Sequence, residues 1–101
     1  MYVRLTYVDF LPGRAEEAKT INNGELVPAI RKQPGIIDCR LLEPAQAGDD
    51  YILITAWETK EDADTYHVSG IYNKMMDRVR DLFSKEPVLK VFSSEDEMEH
   101  A

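Results

Sequence analysis

Cysteine occurs once in the 101 residues, at Cys39. A lone thiol excludes a disulfide within the chain and leaves a cysteine-based zinc site without its second thiolate. Set in an apolar stretch, Cys39 reads as a small buried hydrophobe. Histidine is almost as scarce: His67 and His100 are remote in sequence, so no metal ligand set is assigned. Basic residues number 12 against 19 acidic ones, a formal charge of −7, and no basic cluster remains when the acidic run at the C-terminal end is discounted. A chain so constituted cannot neutralise phosphates, which excludes nucleic acid and anionic membranes as partners. No glycine-rich loop follows a strand, so no nucleotide and no other cofactor is indicated. Ser69-Gly70 lacks the flanks of a nucleophile elbow. There is no long apolar run and no charged-then-apolar leader, so the expectation is a cytoplasmic protein without a membrane span.

What is present centres on residues 50 to 80. Tyr51 to Trp57 is β-branched, aromatic or apolar and reads as a strand. Thr59, with Asp62 three residues on, reads as a helix N-cap and its capping partner. The helical run that follows is interrupted near Ser69-Gly70 and resumes with Ile71, Met75, Val79 and Leu82 on one face.

Upstream, Tyr2 to Phe10 is a first strand in which Val3, Leu5 and Tyr7 alternate with the more polar Arg4 and Thr6. Pro12-Gly13 closes it. A helix from Arg14 is interrupted by Asn22-Asn23-Gly24 and Pro28, predicting a kinked or two-piece rod that ends before Pro34-Gly35. Ile36 to Leu42 is a second strand, with Ile37, Cys39 and Leu41 on one face and Asp38, Arg40 and Leu42 on the other. Val88 to Phe92 is a fourth.

The order strand, helix, strand, strand, helix, strand predicts an α+β, ferredoxin-like domain over residues 1–93: a four-stranded antiparallel sheet with its helices on one face. Residues 94–101 form an acidic tail expected to be flexible. Tyr2, Val8 and Leu42 make the second sheet face apolar too, which predicts a homodimer with the sheets packed face to face.

Three short strings carry a family likeness: Pro34-Gly35-Ile36 stepping into the second strand, Trp57-Glu58-Thr59 ending the third, and the helix from His67 through Ser69 to Tyr72. In these, and in its pattern from Tyr2 to Phe92, the chain resembles the antibiotic biosynthesis monooxygenase family. The resemblance implies a dimeric α+β barrel with a small apolar pocket between sheet and helices. It also implies either oxygen chemistry on aromatic polyketides or quinols without a cofactor, or haem degradation. The haem-degrading branch uses a strand asparagine, a helix tryptophan and a ligating histidine. Aligned on Trp57 and Gly13, these fall on Thr6, Tyr66 and Met76, so all three are missing and haem degradation is not expected.

Oxidising a phenol without metal or flavin asks for an apolar slot, a base, and a hold on the resulting anion. His67 is the candidate catalytic base, because its ordinary pKa lies near neutrality. Trp57, Tyr66, Tyr72 and Met76 are candidate substrate-binding walls, and Arg40 is a candidate anion hold if its side of the strand faces the pocket. The predicted partners are a second copy of the chain and a small apolar or aromatic ligand. The predicted function is cofactor-independent monooxygenation of a small phenol, quinol or polyketide-like aromatic. The alternative is a non-catalytic dimeric binding or sensing module of the same fold.

Overall fold

A computed structural model describes residues 1–95. The rest of the acidic tail expected over 94–101 lies outside the described residues. Four strands, β1 (Tyr2–Val8), β2 (Ile36–Leu42), β3 (Tyr51–Trp57) and β4 (Val88–Ser93), form one antiparallel sheet in the order β2-β3-β1-β4. That order and the helical crossovers make the α+β ferredoxin-like arrangement the sequence predicts.

The first crossover differs from expectation in one respect. Helix α1 (Ala15–Ile21) does not break at Asn22-Asn23-Gly24; it widens into a π-helical turn, Asn22–Leu26, and continues as α2 (Val27–Ile30). Pro28 falls in the first turn of α2, where a missing N–H costs little. Asn22 is buried, and its Nδ2 donates to the Ala18 carbonyl at 2.8 Å, returning a bond to the loosened ladder. Polar residues that look like a helix stop thus serve as the patch that keeps the rod running.

The second crossover follows the sequence closely. Thr59, in extended backbone, caps α3 (Lys60–Val68) by accepting from the Asp62 amide at 3.1 Å. Gly70 takes a φ of +89°, which only glycine adopts without strain, and α4 (Ile71–Val79) leaves in a new direction.

The register decides which strand face meets the helices. Arg4 pairs with Thr55, and Thr55 pairs with Cys39. Cys39 is fully buried in a cluster with Val27, Ile30, Trp57, Ala63 and Tyr66, so this is the helix side. Its thiol is pushed up to about 12, chiefly by burial, which makes it an inert core residue. A second cluster of Val8, Phe10, Ala18, Ile21, Leu26, Val79 and Leu82 fills the other end.

Two expectations are corrected here. In β1 the polar set goes inward: Arg4, Thr6 and Val8 face the helices and are buried, and Tyr2 packs on the same side. The apolar set Val3, Leu5 and Tyr7 faces away, aligned with Ile54, Ile52, Phe92 and Val88. The second face is therefore apolar, as predicted, but Leu42 alone of the three residues assigned to it lies there. In β2, a register shift between Ile36 and Asp38 puts Ile37 at a bulge, where it is 41% exposed, while Cys39 and Leu41 keep the helix side.

Candidate functional site

The elbow at Gly70 brings together residues that helical spacing alone would separate. Tyr66 and Tyr72, six positions apart, meet edge to face with centroids 5.9 Å apart. His67 lies against Tyr72 at 4.3 Å. On the other side of Tyr66, Trp57 stacks at 5.2 Å. The four rings form a row from the core to the surface.

The row's inner end is structural. Trp57 is fully buried, and its Nε1 donates to Thr55 Oγ1 at 3.0 Å. It stands behind Tyr66 and is not among the residues that line the groove along α4. Tyr66 is 6% exposed, and burial raises its phenol well above the ordinary tyrosine range, so it stays protonated. The outer end, His67 and Tyr72, reaches the surface.

Beneath His67 and Tyr72 lies Arg4, 5% exposed. One guanidinium nitrogen, Nη2, lies 2.8 Å from His67 Nδ1. Arginine has donors only, so Nδ1 accepts and the neutral imidazole carries its proton on Nε2. Partial burial and then the Arg4 charge hold the His67 pKa below its usual value, against a smaller opposing pull from Asp64. The guanidinium carbon lies 5.8 Å from the Tyr66 ring centre and 5.3 Å from that of Tyr72. Its other terminal nitrogen, Nη1, is buried without a hydrogen-bond partner. No carboxylate among the described residues forms an ion pair with Arg4.

Arg40, the anion hold expected from sequence, does not reach this place. It shares the outer sheet face with Ile54, is exposed, and is paired with Asp38 at 2.8 Å. The cation beside His67 is Arg4. The signal for it was a single charge in the otherwise apolar strand YVRLTYV; the face it belongs to depends on a register that the pattern alone did not determine.

The cluster is touched at Tyr66 by a recess of about 50 Å³ beside Gln33, Pro34 and Asp62, and at Tyr72 by a larger groove. This groove, of about 560 Å³, runs along α4, lined by Tyr72, Met76, Arg80, Phe83, Lys85 and Pro87 among others. That volume suits a small organic ligand. Behind Met76 and Phe83 lies a narrow chamber of about 20 Å³ between sheet and helices, bordered by Thr6, Val8, Leu26, Leu53 and Val79. It has room for one water-sized molecule. Thr6 and Met76 thus do meet across the interior, but a porphyrin has no space between them. Among the described residues, no group of three or more His, Cys, Asp or Glu side chains is placed to hold a metal ion, and no helix is long and apolar enough to cross a membrane.

The sequence profile of the family described as antibiotic biosynthesis monooxygenase matches residues 1–78. No match was found among curated proteins. Among solved structures, one from Nitrosomonas europaea, provisionally named an antibiotic biosynthesis monooxygenase, superposes with a TM-score of 0.81 at 20% identity, covering 95% of this chain and 100% of that one. A protein of Deinococcus radiodurans with the same provisional name gives 0.83 at 10% identity, over 97% and 96% of the two chains. A mutant of MhuD, solved with two manganese protoporphyrin IX molecules per active site, gives 0.78 at 18% identity, over 97% and 98%. At these identities the structural likeness is one of fold.

Proposed function

Because the chain belongs to the antibiotic biosynthesis monooxygenase family, we propose that it oxygenates a small phenol, quinol or polyketide-like aromatic without metal or flavin, in the groove along α4. The observation that carries this reading is the junction at Tyr72, which borders the groove and also touches His67 and the buried Arg4. A flat substrate lying on Met76 and Phe83 meets, at that end, a titratable imidazole and a fixed positive charge.

The chemistry is balanced by the substrate alone. A quinol and dioxygen give a hydroxyquinone and water: one oxygen atom enters the ring, the other leaves as water, and the ring supplies the electrons. The protein's share is to remove the hydroxyl proton and hold the electron-rich anion. His67 accepts the proton at Nδ1 once Arg4 has released that nitrogen, since Nε2 is already protonated. We further propose that the working unit is a homodimer, formed through the outer face of Val3, Leu5, Tyr7, Ile52, Ile54 and Phe92, because a small domain seldom leaves so broad an apolar face in water.

Oxygen consumption with quinols tests the enzyme reading; uptake that is lost in His67→Ala with folding intact supports it. The second reading, a dimeric module that binds a small ligand without transforming it, draws on the small volume of the inner chamber and the packed Trp57–Tyr66 pair. Ligand binding without oxygen uptake from any quinol would favour it.

A further inference from the structure

Arg4 carries a full charge into the core and has few partners there. Of its two terminal nitrogens, one is spent on a neutral imidazole and the other on nothing. Two aromatic faces lie against the guanidinium, and the cross-strand neighbours on its own sheet face are Thr55 and Val91, neither of them anionic. A buried cation normally comes with its anion. Around Arg4 the described residues supply none, whereas the exposed cations Arg14, Arg40, Lys60, Arg78, Arg80 and Lys85 each have a carboxylate within 3.1 Å.

The way to Arg4 is short. Tyr72 is half-buried, lies over the guanidinium, and borders the groove. On the sheet side, Val91 is 48% exposed although it faces the helices, so β4 does not seal the site at that edge. A ligand in the groove reaches the guanidinium by moving one ring, Tyr72, which is held by packing and by the Arg4 charge.

We propose that Arg4 is the binding site for a carboxylate carried by the aromatic ligand, so that the natural substrate is a hydroxy-aromatic acid rather than a neutral phenol. The planar fork of Nη1 and Nη2 matches the two oxygens of a carboxylate. Taking up both nitrogens draws Nη2 away from His67 and frees Nδ1, while the carboxylate cancels the charge that opposes an imidazolium there. Asp64, facing His67 from α3 and paired with Lys60 at 2.6 Å, already leans the same way. The substrate's own acid group thereby converts His67 from a hydrogen-bond acceptor of Arg4 into a base. This rests on the groove being the ligand's entrance, as above, but binding itself does not depend on oxygen chemistry.

The test is calorimetric titration of the full chain with benzoate and with benzamide, a neutral isostere. Benzoate is expected to bind about tenfold tighter or more, the margin of a charge-assisted hydrogen bond. Arg4→Met should erase that margin and Arg4→Lys should keep part of it, with circular dichroism unchanged. Proton-detected titration of His67 adds a reading that a merely structural Arg4 would not move: benzoate should raise its pKa in the native chain and not in Arg4→Met. Equal affinity for the two ligands, or a margin that survives Arg4→Met and vanishes in Arg80→Gln at the groove mouth, overturns the proposal. Oxygen uptake is followed separately with 2,5-dihydroxybenzoate and hydroquinone. Uptake from both without a benzoate margin keeps the oxygenase reading and removes this one. A benzoate margin with uptake from neither does the reverse.

Discussion

Nη2 of Arg4 lies 2.8 Å from Nδ1 of His67 and joins the first strand to a helix 63 positions later. The bond is asymmetric in what its loss would leave behind. Arg4→Met frees a histidine that is exposed and can turn to water, and it replaces a buried charge with an apolar chain of similar length. Such replacements are often neutral or stabilising, so the urea midpoint of Arg4→Met is expected to hold or rise. His67→Ala instead takes away the guanidinium's hydrogen bond and should cost about 1 kcal/mol. A loss above about 2 kcal/mol in Arg4→Met would instead mark its charge as a support of the fold.

Partial burial of His67, and then the Arg4 charge beside it, give stability a pH dependence. The His67 pKa is lowered in the folded chain, so below its ordinary value the unfolded state binds more protons than the folded one. Stability is therefore fully present above the unfolded pKa and falls as pH drops through the unfolded and then the folded pKa. Between pH 7.5 and 5.5, roughly spanning the unperturbed histidine value, the native chain should lose more stability than His67→Gln. Parallel curves for the two proteins would remove His67 as the source.

Trp57 offers a way to separate packing from binding. Its ring is fully buried and its Nε1 is bonded to Thr55, so Trp57→Phe should cost about 1–3 kcal/mol through an unsatisfied hydroxyl and a small void. Standing behind Tyr66, it should leave affinity for groove ligands within about twofold of native, the scatter of non-contacting sites. A large change in affinity with small change in stability would put Trp57 in the binding wall after all.

Gly35 is held by two constraints at once. Its φ is +80°, and a Cβ there would run into the Asp62 side chain, the same residue that Thr59 uses to cap α3. Gly35→Ala should lose about 2 kcal/mol or more and Thr59→Ala about 1 kcal/mol. Because both act through Asp62, the double variant should lose less than the sum. Strict additivity in chemical denaturation would show the two sites to be independent.

The outer sheet face predicts assembly. Ile54→Glu, in its middle, is expected to halve the mass seen by light scattering while leaving far-ultraviolet circular dichroism intact. A native chain that is already monomeric at micromolar concentration would end the case for a sheet-face dimer.

The strand and helix order was legible in the sequence because each element carries local chemistry: Thr59 with Asp62 for a cap, Gly70 for an elbow, Pro34-Gly35 for a turn. The meeting of Tyr66 and Tyr72 hangs on that elbow, since residues six apart do not share a face of one straight helix. The two sides of the sheet were harder. With Val3, Leu5 and Tyr7 on one face of β1 and Tyr2 and Val8 on the other, both faces look apolar, and parity cannot say which meets the helices. That ambiguity hid Arg4 and promoted Arg40. A π turn was equally out of reach, since Asn22-Asn23-Gly24 carries the composition of a break, and composition does not show that Asn22 will be buried with its side chain bonded back to Ala18.

Gly70 has one more implication. The two sides of the candidate site ride on α3 and α4, and the angle between them is set by a single left-handed residue rather than by the sheet. One residue inserted beside it would turn everything on α4 by about 100° relative to α3, replacing Tyr72 and Met76 with a new set of neighbours for His67 while the strands stayed as they are. A scaffold with such a joint can acquire a different pocket by a change of length at one point, provided that Val79 and Met75 of α4 are replaced by side chains that refill the core. Variation in the length of this elbow, more than substitution within the sheet, is where a change of ligand would be easiest to make.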